Sequence, residues 1–326
     1  MAIWKPEVFQ GRGKKKNYFE GWYFKSVSKD EKLACAIIAG VSIPKNLNKS
    51  NAFVMFMDAR NQDLHYFQYP LSSFWANNEY FEIKIGNNFF SLNNIILDID
   101  DGQTKITGQM KFENIIPWPV KRFSPGVMGI YAFIPFMECY HGVLSFNHSI
   151  NGYLEINGEK KDFTGGKGYI EKDWGSSMPS SWIWMQTNHF DDEGLSLFGS
   201  IAKIPWLGSY FTGYIFGLLH NKRLYKFTTY NRAKIEKIQL TKNNIEIIIG
   251  DKKLELQINA IRTEGVDIPA PKLGEMTAKV NESLKSRINI KLFRKNKKEK
   301  ILILSDTGRN AGLEFVGNLN ELLKGF

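Results

Sequence analysis

Two acids, a histidine and three tryptophans crowd into Gly165–Phe190, a segment that otherwise alternates like two β-strands joined by a turn. Strand interiors disfavour acids. A carboxyl set among tryptophans therefore points to a partly apolar pocket with a proton source or a polar anchor inside it. On the first strand Tyr169, Glu171 and Asp173 alternate with Ile170, Lys172 and Trp174. On the second, Trp182, Trp184, Gln186 and Asn188 share a face, opposite Ile183, Met185, Thr187 and His189. A face bearing tryptophans and amides suits a ligand. A Trp-rich barrel core, with Asp173 capping a turn, is the plainer alternative.

Three other stretches offer reactive groups. In Asn17–Lys25, the strand period puts Tyr18, Glu20, Trp22 and Phe24 on one face. Glu20 is then either a surface acid or a buried acid beside Trp22. In Pro135–Val143, Cys139 and His141 point the same way, as metal ligands would. Two ligands at i and i+2 without a second pair are a weak zinc signal, and no metal is expected. A hydrogen-bonded core histidine is the ordinary role for His141. Gly208–Leu219, with Tyr210 and Tyr214, reads as a core strand. The chain has no Walker loop, Gly-x-Ser-x-Gly elbow, His-Glu-x-x-His or dinucleotide fingerprint, which argues against serine hydrolysis and nicotinamide redox chemistry.

The elements that must position these residues are strands. Tyr18–Val27, Leu33–Val41, Phe53–Asp58, Thr104–Phe112, Leu195–Lys203 and about fourteen further short runs alternate between Asn, Asp and Gly turns. Asp101-Gly102, Asn151-Gly152 and Asn157-Gly158 read as hairpin turns. Only Leu313–Leu323 and Met276–Leu284 carry helical periodicity. The expected fold is all-β: two lipocalin-like antiparallel barrels or sandwiches with few short helices. The expected domains are residues 1–175 and 176–326, divided near the turn-rich Gly175–Ser181. The proline- and aromatic-rich stretch Glu113–Pro135 reads as a long loop that caps a cavity or dips into a membrane surface.

Composition is that of a globular protein, with 43% hydrophobic and 23% charged residues, and an aromatic share of 14% that suits strands and apolar pockets. The net charge of +10 comes from residues 222–300, which hold 20 Lys/Arg against 9 Asp/Glu. That window includes the run Arg294–Lys300. It reads as a solvated strand face, or as a peripheral contact with an anionic membrane. No nucleic-acid module accompanies the charge, so nucleic acid is not an expected partner. Two cysteines, Cys35 and Cys139, fit a reducing compartment. No secretory signal or spanning segment is visible, so the expected location is cytoplasmic, in part membrane-peripheral. The Lys, Asn and Ile bias suggests an AT-rich bacterial genome.

Tyr18-Phe-Glu-Gly-Trp-Tyr-Phe-Lys25, Pro135-Phe-Met-Glu-Cys-Tyr-His-Gly-Val143, and Gly168-Tyr-Ile-Glu-Lys-Asp-Trp-Gly175 followed by Trp182–Phe190 resemble the tocopherol cyclase family. The blocks reach from near the start to about residue 220. More remotely they are similar to carotenoid hydratases and other proteins built from two lipocalin-like barrels. The resemblance implies cofactor-free cyclisation of a prenylated quinol, an intramolecular lyase or isomerase reaction on a small isoprenoid ligand. A general acid protonates the alkene, aromatic faces stabilise the cation, and a dry pocket lets the phenol trap it. It makes Asp173 the first candidate donor, with Glu20 and Glu171 next. Trp22, Trp174, Trp182 and Trp184 become lining candidates, and Tyr140, His141, Asn188 and His189 polar ligand contacts. A non-catalytic lipocalin-like carrier of a hydrophobic ligand would use the same lining.

Overall fold

The computed structural model describes residues 2–296, 299–324 and 326, so Lys297 and Lys298 of the basic run lie outside the described residues. The chain is all-β. In order, the first strands are β1 (Tyr18–Val27), β2 (Ala34–Ile43), β3 (Asn51–Asp58), β4 (Asp63–Pro70), β5 (Phe74–Ala76), β6 (Glu82–Ile85), β7 (Asn88–Ser91), β8 (Asn94–Asp100), β9 (Lys105–Glu113), β10 (Cys139–Ile156), β11 (Glu159–Asp162) and β12 (Lys167–Gly175). Then come β13 (Trp182–Thr187), β14 (Leu195–Trp206), β15 (Ser209–His220), β16 (Arg223–Thr228), β17 (Lys234–Leu240), β18 (Asn244–Gly250), β19 (Leu254–Ile261), β20 (Val266–Lys272), β21 (Glu275–Lys295), β22 (Lys300–Val316) and the short helix α1 (Leu319–Leu323). No helix among the described residues is long and apolar enough to cross a membrane.

The chain forms two compact units. One comprises Met1–Met178 with Val266–Val280, the other Pro179–Gly265 with Asn281–Phe326. The first unit is a 12-stranded antiparallel sheet in the order β4-β3-β2-β1-β12-β10-β9-β8-β7-β6-β5, with β11 on β10. Residues from most of its strands, including Phe67 on β4, Phe24 on β1 and Phe90 on β7, enter one apolar core, and Phe74 on β5 packs against it. The sheet therefore curls around that core, although no ladder joins β4 to β5 among the described residues. The core is aromatic: Phe24 packs on Phe81, Phe90 and Phe112, and Trp22 stacks on Phe81 at 5.3 Å.

The second unit curls likewise, in the order β16-β15-β14-β13-β22-β21-β19-β18-β17, around a core rich in β-branched residues from β18, β19 and β21. Along β21, exposed Lys285, Arg287 and Lys291 alternate with buried Ser286, Ile288 and Ile290. The basic excess is thus in part the outer face of an amphipathic strand.

Three local expectations are corrected. Met276–Leu284 is strand, within β21. Apolar residues at 276, 280 and 284 are four apart, a spacing that fits a period of two as well as 3.6. Of Leu313–Leu323, only Leu319–Leu323 is helical, capped by Asn318, while Leu313–Val316 completes β22. Asn151-Gly152 is no hairpin turn but lies within β10. A Cβ on Gly152 would meet the carbonyl oxygen of Gln109 at 2.1 Å, so close strand approach, not turning, requires this glycine.

Candidate active site

β12 carries different chemistry on its two faces, and both depend on its neighbours β1 and β10. Ile170 belongs to the first unit's core, so the alternating Lys172 and Trp174 point to that side. Tyr169, Glu171 and Asp173 point to the other. Cα pairing sets Asp173 opposite His141 of β10 and Gly21 of β1, and sets Glu171 opposite Val143 and Tyr23.

On the second face His141 is held between two carboxylates. Its Nδ1 is 2.8 Å from Asp173 Oδ1, and its Nε2 is 3.6 Å from Glu171 Oε2. The Tyr169 hydroxyl donates to Glu171 Oε2 at 2.5 Å. Burial works against a charged imidazole here, but Asp173 and Glu171 outweigh it and raise the His141 pKa from 6.5 to about 9. Burial and Glu171 together push the Tyr169 hydroxyl well above its ordinary value, so it stays a donor. Cys139 Sγ lies 3.7 Å from Asp173 Oδ1, and burial with that carboxylate raises its thiol pKa, so it is not a thiolate.

Beside Asp173 the sheet leaves a gap at Gly21. Gly21 is the one residue of β1 that is not buried. A Cβ placed on it would meet only Ile38 Cγ2, at 3.6 Å. The acid therefore borders a gap with room for part of a ligand. His141, Glu171 and Asp173 also form, among the described residues, a trio whose donor atoms lie within 4.8 Å of one another. Nitrogen and carboxylate donors of this kind suit a divalent ion. The 2.8 Å contact between His141 and Asp173 is, however, the length of a hydrogen bond filled by a proton.

Glu20 lies on the opposite face from Asp173. It is fully buried and its oxygens are occupied. Lys172 Nζ sits 2.5 Å from Oε1, the Gln10 N–H donates to both oxygens, and the Tyr18 hydroxyl donates to Oε2. Lys172, also fully buried, donates to the Pro6 and Val8 carbonyls at 2.8 and 2.6 Å. Its ammonium lies between the Trp22 and Trp174 rings, 4.8 and 4.6 Å from their centroids. Trp22 further donates to the Glu7 carbonyl. Tyr140 stacks on Trp174 at 5.6 Å and donates to the Ile134 carbonyl. Glu20, Trp22, Tyr140 and Trp174 thus form a second cluster, which pins residues 6–10 to the sheet.

Trp182, Trp184, Asn188 and His189 belong to the second unit. Trp182 Nε1 donates to Glu314 Oε2 at 2.5 Å, and Trp184 is register partner of Glu314 on β22. Glu314 also faces buried Glu282 of β21. Asn188 is buried, and His189 bridges to Arg309 through its backbone. Sequence reasoning did not single out Lys172, Gly21, Glu282 or Glu314. Lys172 had a signal: it is a lone charge in phase with Ile170 and Trp174.

Residues 90–317 match the family model described as Tocopherol cyclase-like. The match extends beyond residue 220 and leaves the Tyr18–Lys25 block outside it. The chain is 28% identical over 103 residues to a probable chloroplastic tocopherol cyclase of Oryza sativa subsp. japonica, covering 30% of this chain and 22% of that protein. It is 21% identical over 268 residues to the chloroplastic tocopherol cyclase of Zea mays, covering 66% of this chain and 56% of that protein. The chain therefore spans only part of the length of these relatives. Among solved structures, CghA with Sch210972 superposes with a TM-score of 0.56 at 7% identity, over 92% of this chain and 89% of that one. Kievitone hydratase from Nectria haematococca gives 0.50 at 11% identity, over 91% and 89%. These likenesses show the fold.

Proposed function

Because the chain belongs to the tocopherol cyclase-like family, we propose that it is a cyclase- or hydratase-type enzyme whose reaction starts with proton transfer from the His141–Asp173 pair to an alkene. The supporting observation is the partly buried imidazole held between Asp173 and Glu171 beside the gap at Gly21. The pair holds one mobile proton. Transfer of that proton from the His141–Asp173 hydrogen bond to the alkene breaks the C=C π bond and leaves a tertiary cation. In a prenylated quinol the phenol oxygen then attacks the cation, and its proton returns to the pair. No atom is gained or lost, so the reaction is an isomerisation that calls for no redox partner. The negative charge left on the Asp173–Glu171 pair stabilises the cation while it lasts.

The experiment is turnover of a prenylated hydroquinone, followed by chromatography of the chromanol, with ligand binding measured separately by native mass spectrometry. Asp173→Asn is expected to abolish turnover and leave binding intact. Gly21→Leu fills the gap without demanding positive φ, and is expected to abolish binding while the fold survives. Chelation with EDTA should leave the rate unchanged. Undiminished turnover by Asp173→Asn would remove it as the acid. Bound lipid without turnover by the wild type would make the protein a carrier.

A further inference from the structure

We propose that the loop between β9 and β10 docks the protein on an anionic lipid bilayer. This inference rests on the loop alone and not on the reading of the site. Between Glu113 and Glu138 the only charged residues are Lys121 and Arg122, both basic. The same stretch exposes large apolar side chains: Phe123 is 75% exposed, Ile130 56% and Phe136 54%, with Val120 and Phe133 also at the surface. Isolated exposed apolar residues are ordinary, but several in one loop mark an interaction surface.

The loop presents these side chains from a fixed base. Trp118 is buried, stacks on Phe146 at 5.7 Å, and donates its backbone N–H to Val143. Ile116 and Phe146 are joined by a 2.7 Å backbone hydrogen bond, and Lys121 and Ser124 exchange two more. Gly126 and Gly129, at φ of 72° and 56°, turn the chain into a 3-10 helix over Gly129–Phe133. In such a helix residues three apart eclipse, so Ile130 and Phe133 project together. Trp4 packs edge-on against Phe133 and donates to the Arg122 carbonyl at 3.1 Å.

The chemistry fits a bilayer better than a protein groove. Arg122 lies over the Phe123 ring, 5.4 Å from its centroid. A cation stacked on an inserting aromatic ring can reach lipid phosphate while the ring enters the acyl region. Trp4 and Tyr131 have the amphipathic rings that settle at such an interface. An acid-free stretch with two cations complements an anionic headgroup layer. The loop runs into β10 at Cys139, and Phe136 stands five residues before His141. Membrane contact and candidate acid are thus linked by one short span of chain.

The test is flotation of the full chain with phosphatidylcholine vesicles, with and without phosphatidylglycerol. The wild type is expected to float with anionic vesicles. Phe123→Ser with Ile130→Ser should lose flotation with the anionic vesicles. Lys121→Gln with Arg122→Gln should weaken binding to anionic vesicles by about tenfold or more. All four side chains are at the surface, so unchanged melting temperatures are expected to exclude misfolding. The proposal is overturned if the wild type does not float or if both loop variants float like the wild type. It is also overturned if only Lys285→Gln with Arg287→Gln and Lys291→Gln abolishes flotation. A wild-type dimer that Phe123→Ser dissolves, with no vesicle binding, would identify a second copy as the partner and overturn it equally.

Discussion

His141 keeps a proton that a free imidazole gives up. Asp173 and Glu171 raise its pKa from 6.5 to about 9 against the opposing effect of burial. Below pH 6.5 the folded and unfolded chains both carry this proton, and the stabilisation by the two carboxylates is fully present. As pH rises from 6.5 to about 9, only the folded state keeps it, so stability falls and the contribution is lost above that range. The span corresponds to about 3 kcal/mol at most. His141→Gln should therefore flatten the melting temperature of the wild type across this alkaline window, as measured by calorimetry at successive pH values. His148 is the contrast. It is buried against Phe112 with Ser145 Oγ 3.0 Å from its Nδ1, and desolvation lowers its pKa to about 3. Both residues are histidines on β10, and only their neighbours make one a held cation and the other a neutral core group. The sequence placed His141 near acids in a motif, but it could not say which acids reached it.

β12 is the element on which the candidate site depends. Its alternation was legible: Tyr169, Glu171 and Asp173 share one face and Ile170, Lys172 and Trp174 the other. What each face meets was not legible, because that follows from pairing β12 with β1 and β10, which are remote in sequence. The pairing puts Glu20 with Lys172 and away from Asp173. The Glu20–Lys172 pair is wholly buried, and desolvation pulls the Lys172 pKa down against the attraction of Glu20. Breaking such a pair from one side leaves a buried charge. Lys172→Met should cost about 3–5 kcal/mol in urea unfolding and release residues 6–10 to proteolysis. Adding Glu20→Gln should recover most of that loss, because the uncompensated carboxylate is then gone. Recovery by the double variant separates a desolvation effect from simple loss of packing, which a second substitution would only deepen.

At the scale of the whole molecule, the chain leaves its first unit at Met178 and returns to it over Val266–Val280. The returning segment is tied down by backbone. Gly274 donates to the Ser176 carbonyl at 2.7 Å and accepts from Ser42 Oγ at 2.6 Å, while Met178 donates to Pro271 at 3.1 Å. Gly274 has φ of 77°, and a Cβ there would meet the Tyr18 nitrogen at 2.5 Å. Gly274→Ala should therefore destabilise the first unit by at least about 1–3 kcal/mol, seen as a lower urea midpoint, whereas Gly13→Ala, with open space around it, should cost less. By itself the sequence determined the all-β class, the alternation of each strand and the blocks that mark the family. These are properties of local period and composition, which a strand displays whatever it pairs with. Only the tertiary structure decided which acid meets which base, that Gly21 leaves a gap beside Asp173, and that residues 266–280 rejoin the first unit. Each of these is a pairing between distant segments, and register across a sheet is set by neighbours that no local window contains.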